Sequence, residues 1–219
     1  MNTTSQIRVL PQDFQEALDS MRGARYRHDL KVKEISAPTD IAPYAVALEA
    51  SVYKEVEPQS FKPRLHVVTE NSGYDNALEQ NDALVVGRFI LLYHPEYQEA
   101  WDGHFRITVY VRGHLDDSYT DNLLVTKSLW AKFNDAMIKR EIKHRALGGT
   151  VTKISTESFG SISNQLPSLS AELRASWTAV NAEIRSHLEV WSEFITSFVG
   201  EPAFTKGVIP IPIQRNFSN

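Results

Sequence analysis

Apolar residues recur at spacings of four and three after Pro11: Phe14, Leu18 and Met21 form one face of a helix that should stop near Gly23. Proline suits a first helical turn, and Asp13 and Glu16 stand near the positive end of the helix dipole. From Leu30 the period changes to two. Val32 and Ile35 predict a short strand stopped by Ala37-Pro38, and Tyr44, Val46, Leu48, Ala50 and Val52 then alternate with Ala45, Ala47, Glu49 and Ser51 as a half-buried strand does. The pattern breaks from Lys54 to Asp82, where two prolines, Gly73 and several acids predict a flexible surface insertion over 55–82 carrying one short edge strand at Leu65–Val68. Order returns with a strand at Ala83–Tyr93. Its partner is the clearest in the chain, with Phe105, Ile107, Val109 and Val111 pointing one way and Arg106, Thr108, Tyr110 and Arg112 the other. The segment His94–His104 between them is too long for a tight hairpin turn.

A second helix is expected from Leu123 to Ile142, capped by Asp121 or Asn122, with Trp130, Phe133 and Met137 buried and Lys139, Arg140 and Lys143 at its negative end; Gly148-Gly149 would close it off. Strands follow at Thr150–Phe159 and Ala171–Val180, joined by the Ser-rich linker Gly160–Ser170. In the third helix Ile184, Leu188, Trp191, Ile195 and Phe198 step by four, three, four and three behind an Asn181 cap, with Gly200 as the stop. Prolines keep Val208–Ile213 extended, so 206–219 reads as a surface tail. The order α-β-β-β-β-α-β-β-α has short links between neighbouring strands. It predicts a single α+β domain over 1–219, an antiparallel sheet of about six strands with three helices on one face.

Composition narrows the function classes. A net charge of −4 and a pI of about 6.0 make a nucleic-acid partner unlikely, and no apolar run approaches the length of a membrane span. With no cysteine, thiol catalysis and thiolate metal sites are excluded; with no apolar leader core, the expected location is the cytoplasm.

Four segments resemble the actinobacterial family called domain of unknown function 3000: Ala42–Leu48, the run GRFILLYHPEYQEAWDGHFRITVYVR from Gly87 to Arg112, GTVTKISTESFG from Gly149 to Gly160, and AELRASWT from Ala171 to Thr178. The chain departs from that family in a longer Glu55–Asp82 link and in an Asn-rich, less basic C-terminus. The resemblance implies a cytoplasmic bacterial protein and carries over no activity, cofactor or catalytic residue. Element order alone is similar to type III secretion chaperones, which have one strand fewer before the middle helix; that likeness implies acidic dimers that bind polypeptide.

Two constellations carry chemistry. In the first, His94, Glu96, Glu99, Asp102 and His104 flank Trp101, and strand ends could bring the two histidines together around a divalent ion. Their spacing matches no ligand motif, so the favoured reading is a solvated loop anchored by Tyr97 and Trp101, and no metal or cofactor is assigned. The second is the polar sheet face of Glu49, Arg106, Tyr110, Arg112, Glu172, Arg174, Ser176 and Thr178, which suits either cross-strand ion pairing in water or an interface. Glu157 and Ser158 lack the context of a nucleophile, and the phosphate-loop, dinucleotide and zinc-protease motifs are absent, so no catalytic residue is assigned. Trp130, Trp177 and Trp191 read as core anchors.

These residues favour a non-catalytic protein-interaction module, chaperone-like or adaptor, with a protein partner and with a second copy of the chain as a candidate. The alternative is a small-molecule-binding protein or enzyme whose pocket is rimmed by His94–His104. The candidate residues are His94, Glu96, Glu99, Trp101, His104, Arg106, Tyr110, Arg112 and Arg174.

Overall fold

A computed structural model describes residues 10–38, 40–53, 83–116 and 123–199. The chain runs through α1 (Gln12–Arg22), β1 (Lys31–Ile35), β2 (Tyr44–Tyr53), β3 (Ala83–Gln98), β4 (Gly103–His114), α2 (Val125–Lys139), β5 (His144–Thr156), β6 (Ser168–Ala179) and α3 (Arg185–Ser197), with one 3-10 turn at Gly160–Ile162. The six strands form one antiparallel sheet in the order β1-β2-β3-β4-β6-β5. The expected α+β class and element order are thus observed. The expectations for 54–82, for a cap at Asp121 or Asn122, and for the stop at Gly200 and the tail fall outside the described residues.

Alternation decides which sheet face is dry. Val46, Leu48, Ala50, Phe89, Leu91, Val109, Val111, Leu173 and Trp177 point to one side and are almost wholly buried. The three described helices cover that side. Phe14 of α1 stacks on Tyr93, Phe133 of α2 tilts against Trp177, and Trp191 of α3 tilts against Phe89, each with ring centroids 5.7 Å apart. Trp177 and Trp191 are both fully buried in this interface.

Helix and strand ends differ from expectation in three places. α2 stops at Lys139 without glycine, because Glu141 takes the left-handed conformation (φ 52°). Its N–H reaches the Ile138 carbonyl at 2.9 Å and the Ile142 N–H reaches Met137 at 3.0 Å, a Schellman motif sealed by the buried Ile142 and Met137 side chains. Gly148-Gly149 lies within β5 instead. There a Cβ on Gly149 would stand 2.4 Å from the Arg174 carbonyl oxygen and 2.9 Å from the Trp130 ring, so the bare position lets α2 and β6 close together. The third difference is the β3–β4 connection, where β3 continues to Gln98 and only Glu99–Asp102 turn the chain. Pairing runs from Tyr93↔Phe105 to Gln98↔Gly103, so four residues of β3 oppose His104 alone in an enlarged bulge. Pro95, which cannot donate to a ladder, lies inside it.

Candidate functional site

The face of the sheet away from the described helices is built by the other half of the alternation. One register row crosses all six strands as Lys33, Glu49, Arg88, Tyr110, Arg174 and Thr150; the next carries Lys31, Ser51, Val86, Arg112, Glu172 and Thr152. Lys33 Nζ lies 2.8 Å from Glu49, and Arg88 donates to the same carboxylate through Nε and Nη2 at 3.2 Å. Burial pushes the Glu49 carboxyl up, but Lys33 and Arg88 outweigh it and hold it below the usual carboxylate range. Arg174 Nε donates to Glu172 at 2.5 Å while its guanidinium sits 5.5 Å from the Tyr110 ring centroid, and Tyr110 Oη donates to Glu172 at 3.2 Å. Burial, then the Glu172 charge, raises the Tyr110 pKa.

Arg106 stands apart from these pairs. Its Nη1 donates to the Ala146 carbonyl at 3.1 Å and to Thr178 Oγ1 at 3.3 Å, and its Nη2 to Ser176 Oγ at 2.5 Å. All three acceptors are neutral. Burial pulls its pKa below the ordinary guanidinium value.

The structure therefore brings Arg106, Tyr110, Arg112 and Arg174 onto one surface with Glu49, Glu172, Ser176 and Thr178. Arg88, Lys31 and Lys33 join them. Sequence reasoning passed over these three, although strict alternation with the buried Phe89 would have placed Arg88 on the polar side.

The hairpin residues are arranged differently. The His94 ring Nδ1 accepts from the Glu96 N–H at 3.0 Å, His104 Nδ1 lies 3.2 Å from the His94 carbonyl oxygen, and Glu96 and Glu99 face solvent. Trp101 is half-buried rather than tucked into the core, with its carbonyl accepting from the Thr178 hydroxyl. Among the described residues no three His, Asp or Glu side chains are grouped to hold a metal ion. His104 lines a cleft of about 440 Å³ together with Asp13, Glu16, Tyr97, Asp102, Arg145 and Asn181. Tyr97 donates to Asp102, whose carboxylate lies 3.6 Å from Arg145. Ser158 donates to Gln165 Oε1 at 3.2 Å.

Among the described residues no helix is long and apolar enough to cross a membrane. A family described as protein of unknown function (DUF3000) matches residues 10–208. No curated protein and no solved structure matches, so the likeness to type III secretion chaperones rests on element order alone.

Proposed function

The chain belongs to the DUF3000 family of proteins of unknown function, and from that premise and the geometry above we propose that it is a non-catalytic, cytoplasmic protein-interaction module whose working surface is the sheet face away from the described helices. One observation carries the reading: the helices among the described residues lie on one side, and the face away from them is ordered across six strands and furnished with Arg and Tyr, residue types enriched at interfaces. The ladder fixes those side chains in place, so little conformational entropy is lost when a partner meets them.

Photo-cross-linking in the source cell tests this. A benzoylphenylalanine at Tyr110 should capture a discrete polypeptide, whereas the same group at Ile138, an exposed position on α2, should not. Equal labelling from both positions, or none from Tyr110, removes the reading. A second reading attaches to the cleft, because Asp13, Asp102, His104 and Arg145 converge there from three parts of the chain. A small molecule retained in native mass spectrometry and lost in Arg145→Gln would favour it.

A further inference from the structure

Two residues in the left-handed region shape the cleft lined by α1, the β3–β4 hairpin, the start of β5 and the β6–α3 connection: Asp102 (φ 57°) in the hairpin turn and Ala146 (φ 47°) in β5. Alanine takes that conformation only at a cost. The ladder bulges there, Ala146 and Leu147 together facing Trp177, and the bulge bends the strand beside Arg145. One hydrogen-bonded chain holds both sites. Arg106 Nη1 donates to the Ala146 carbonyl and to Thr178 Oγ1, and the Thr178 hydroxyl donates to the carbonyl of Trp101, the residue before Asp102. The fold itself therefore sets the walls that carry Asp102 and Arg145.

The lining puts acceptors on one wall and donors on another. On α1, Asp13 accepts from the Tyr93 phenol 3.4 Å away and Glu16 from Gln12 at 2.9 Å, and among the described residues neither forms an ion pair. Arg145 Nη1 lies 3.6 Å from Asp102, beyond hydrogen-bond length, so its guanidinium keeps its donors for another acceptor. The Glu183 N–H donates to Asn181 Oδ1 at 3.1 Å, which leaves the Asn181 amide as a second donor. Phe105, Ala179 and Val180 add an apolar floor. Asp13 is tied to β3 through Tyr93, whereas Arg145 stands on β5, three inter-strand steps or roughly 14 Å away at the backbone. The side chains narrow that gap, and no ion pair closes it.

Resting on the cleft reading above, we infer that the cleft binds a small zwitterion whose ammonium and carboxylate are held apart by a short apolar body, the chemistry shared by ω-amino acids and dipeptides. The ammonium donates to Asp13 and Glu16, the carboxylate accepts from Arg145 with the Asn181 amide beside it, and the body lies along Phe105 and Val180. A simple amine would leave Arg145 unmatched, and a simple acid would meet the carboxylates of α1. An α-amino acid, whose two charged groups share one carbon, is too short to reach both walls. At about 440 Å³ the cleft stands near the small end of the roughly 300–1,000 Å³ that ligand sites span, which suits a molecule of this size.

Isothermal titration calorimetry with the full chain tests the inference, using ε-aminocaproate and alanyl-alanine as the zwitterions and hexylamine, hexanoate and alanine as the comparison. At least one zwitterion should bind about tenfold tighter than any of the three, and the tighter of the two identifies the body the cleft prefers. Asp13→Asn and Arg145→Gln should each weaken it by about tenfold. Lys132→Gln on the solvent side of α2 should leave it unchanged, and circular dichroism melting should show each variant folded. Hexylamine, hexanoate or alanine binding as tightly as the zwitterions, an unaltered affinity in the folded Asp13→Asn and Arg145→Gln variants, or no binding of either zwitterion would each overturn the inference. In those cases native mass spectrometry of the chain from its source cell separates the two levels. A molecule retained by the wild type and lost in Arg145→Gln keeps the cleft as a ligand site and removes only the zwitterion; nothing retained removes both.

Discussion

His187 is a base with almost no access to water, 3% exposed on the buried side of α3. Trp177 Nε1 donates to its Nδ1 at 2.8 Å and the two rings stack, an arrangement that requires the neutral imidazole. Burial pulls its pKa from 6.5 down to about 4, with Glu183 opposing and His144 adding to the fall. The unfolded chain therefore takes up this proton first. Stability is complete above about pH 6.5 and is lost as pH falls toward 4, by about 3 kcal/mol through linkage. Urea unfolding between about pH 7.5 and 4.5 should show this loss in the wild type and less of it in His187→Gln; identical acid slopes would refute the assignment. Other single residues were legible to differing degrees. Arg106, Tyr110, Arg112 and Arg174 could be placed on one face because each alternates with a buried neighbour. Trp101 could not, since a lone aromatic in a turn has no period to fix its direction. Half-buried, it should cost less on truncation to alanine than the ~3–5 kcal/mol expected for the fully buried Trp191.

Between elements, three small residues set how α3 seats. Its first N–H groups have no acceptor on their own helix; Ser20 Oγ, from α1, accepts from Ile184 at 2.9 Å and Arg185 at 3.0 Å. Ser20→Ala should cost about 1 kcal/mol and speed amide exchange at those two positions. Along its length α3 rests on bare strand. A Cβ on Gly87 would stand 2.5 Å from Ile195 Cδ1, and one on Gly113 would stand 2.4 Å from the Phe198 ring. Gly87→Ala should destabilise by about 1–3 kcal/mol through overpacking, and Ile195→Val in the same chain should recover part of it. A double variant worse than the sum of its parts would show that the helix does not seat there. Stripes of period 3.6 and 2 made every described helix and strand legible, because burial of one face imposes them. The ends were less so. A Schellman motif with glutamate at its left-handed position and a bulge of four residues against one are decided by tertiary contacts, and neither leaves a periodic trace.

At the scale of the whole molecule the sheet separates a dry side, packed under the described helices, from a side whose register rows carry Arg88, Arg106, Tyr110, Arg112 and Arg174 with Glu49 and Glu172. The cleft was invisible in the sequence because Asp13, Asp102, Arg145 and Asn181 come from four distant stretches that only folding joins. The strand order has a consequence for the birth of the protein. β4 finds its second neighbour in β6, which begins at Ser168, whereas β4 ends at His114. At roughly 5–20 residues per second of translation, the apolar side of a four-stranded half-sheet and the open edge of its longest hairpin wait several seconds for that partner. Through that interval the nascent chain is a client for whatever shields unpaired strands at the ribosome, and a burst of faster synthesis between β4 and β6 should raise its soluble yield.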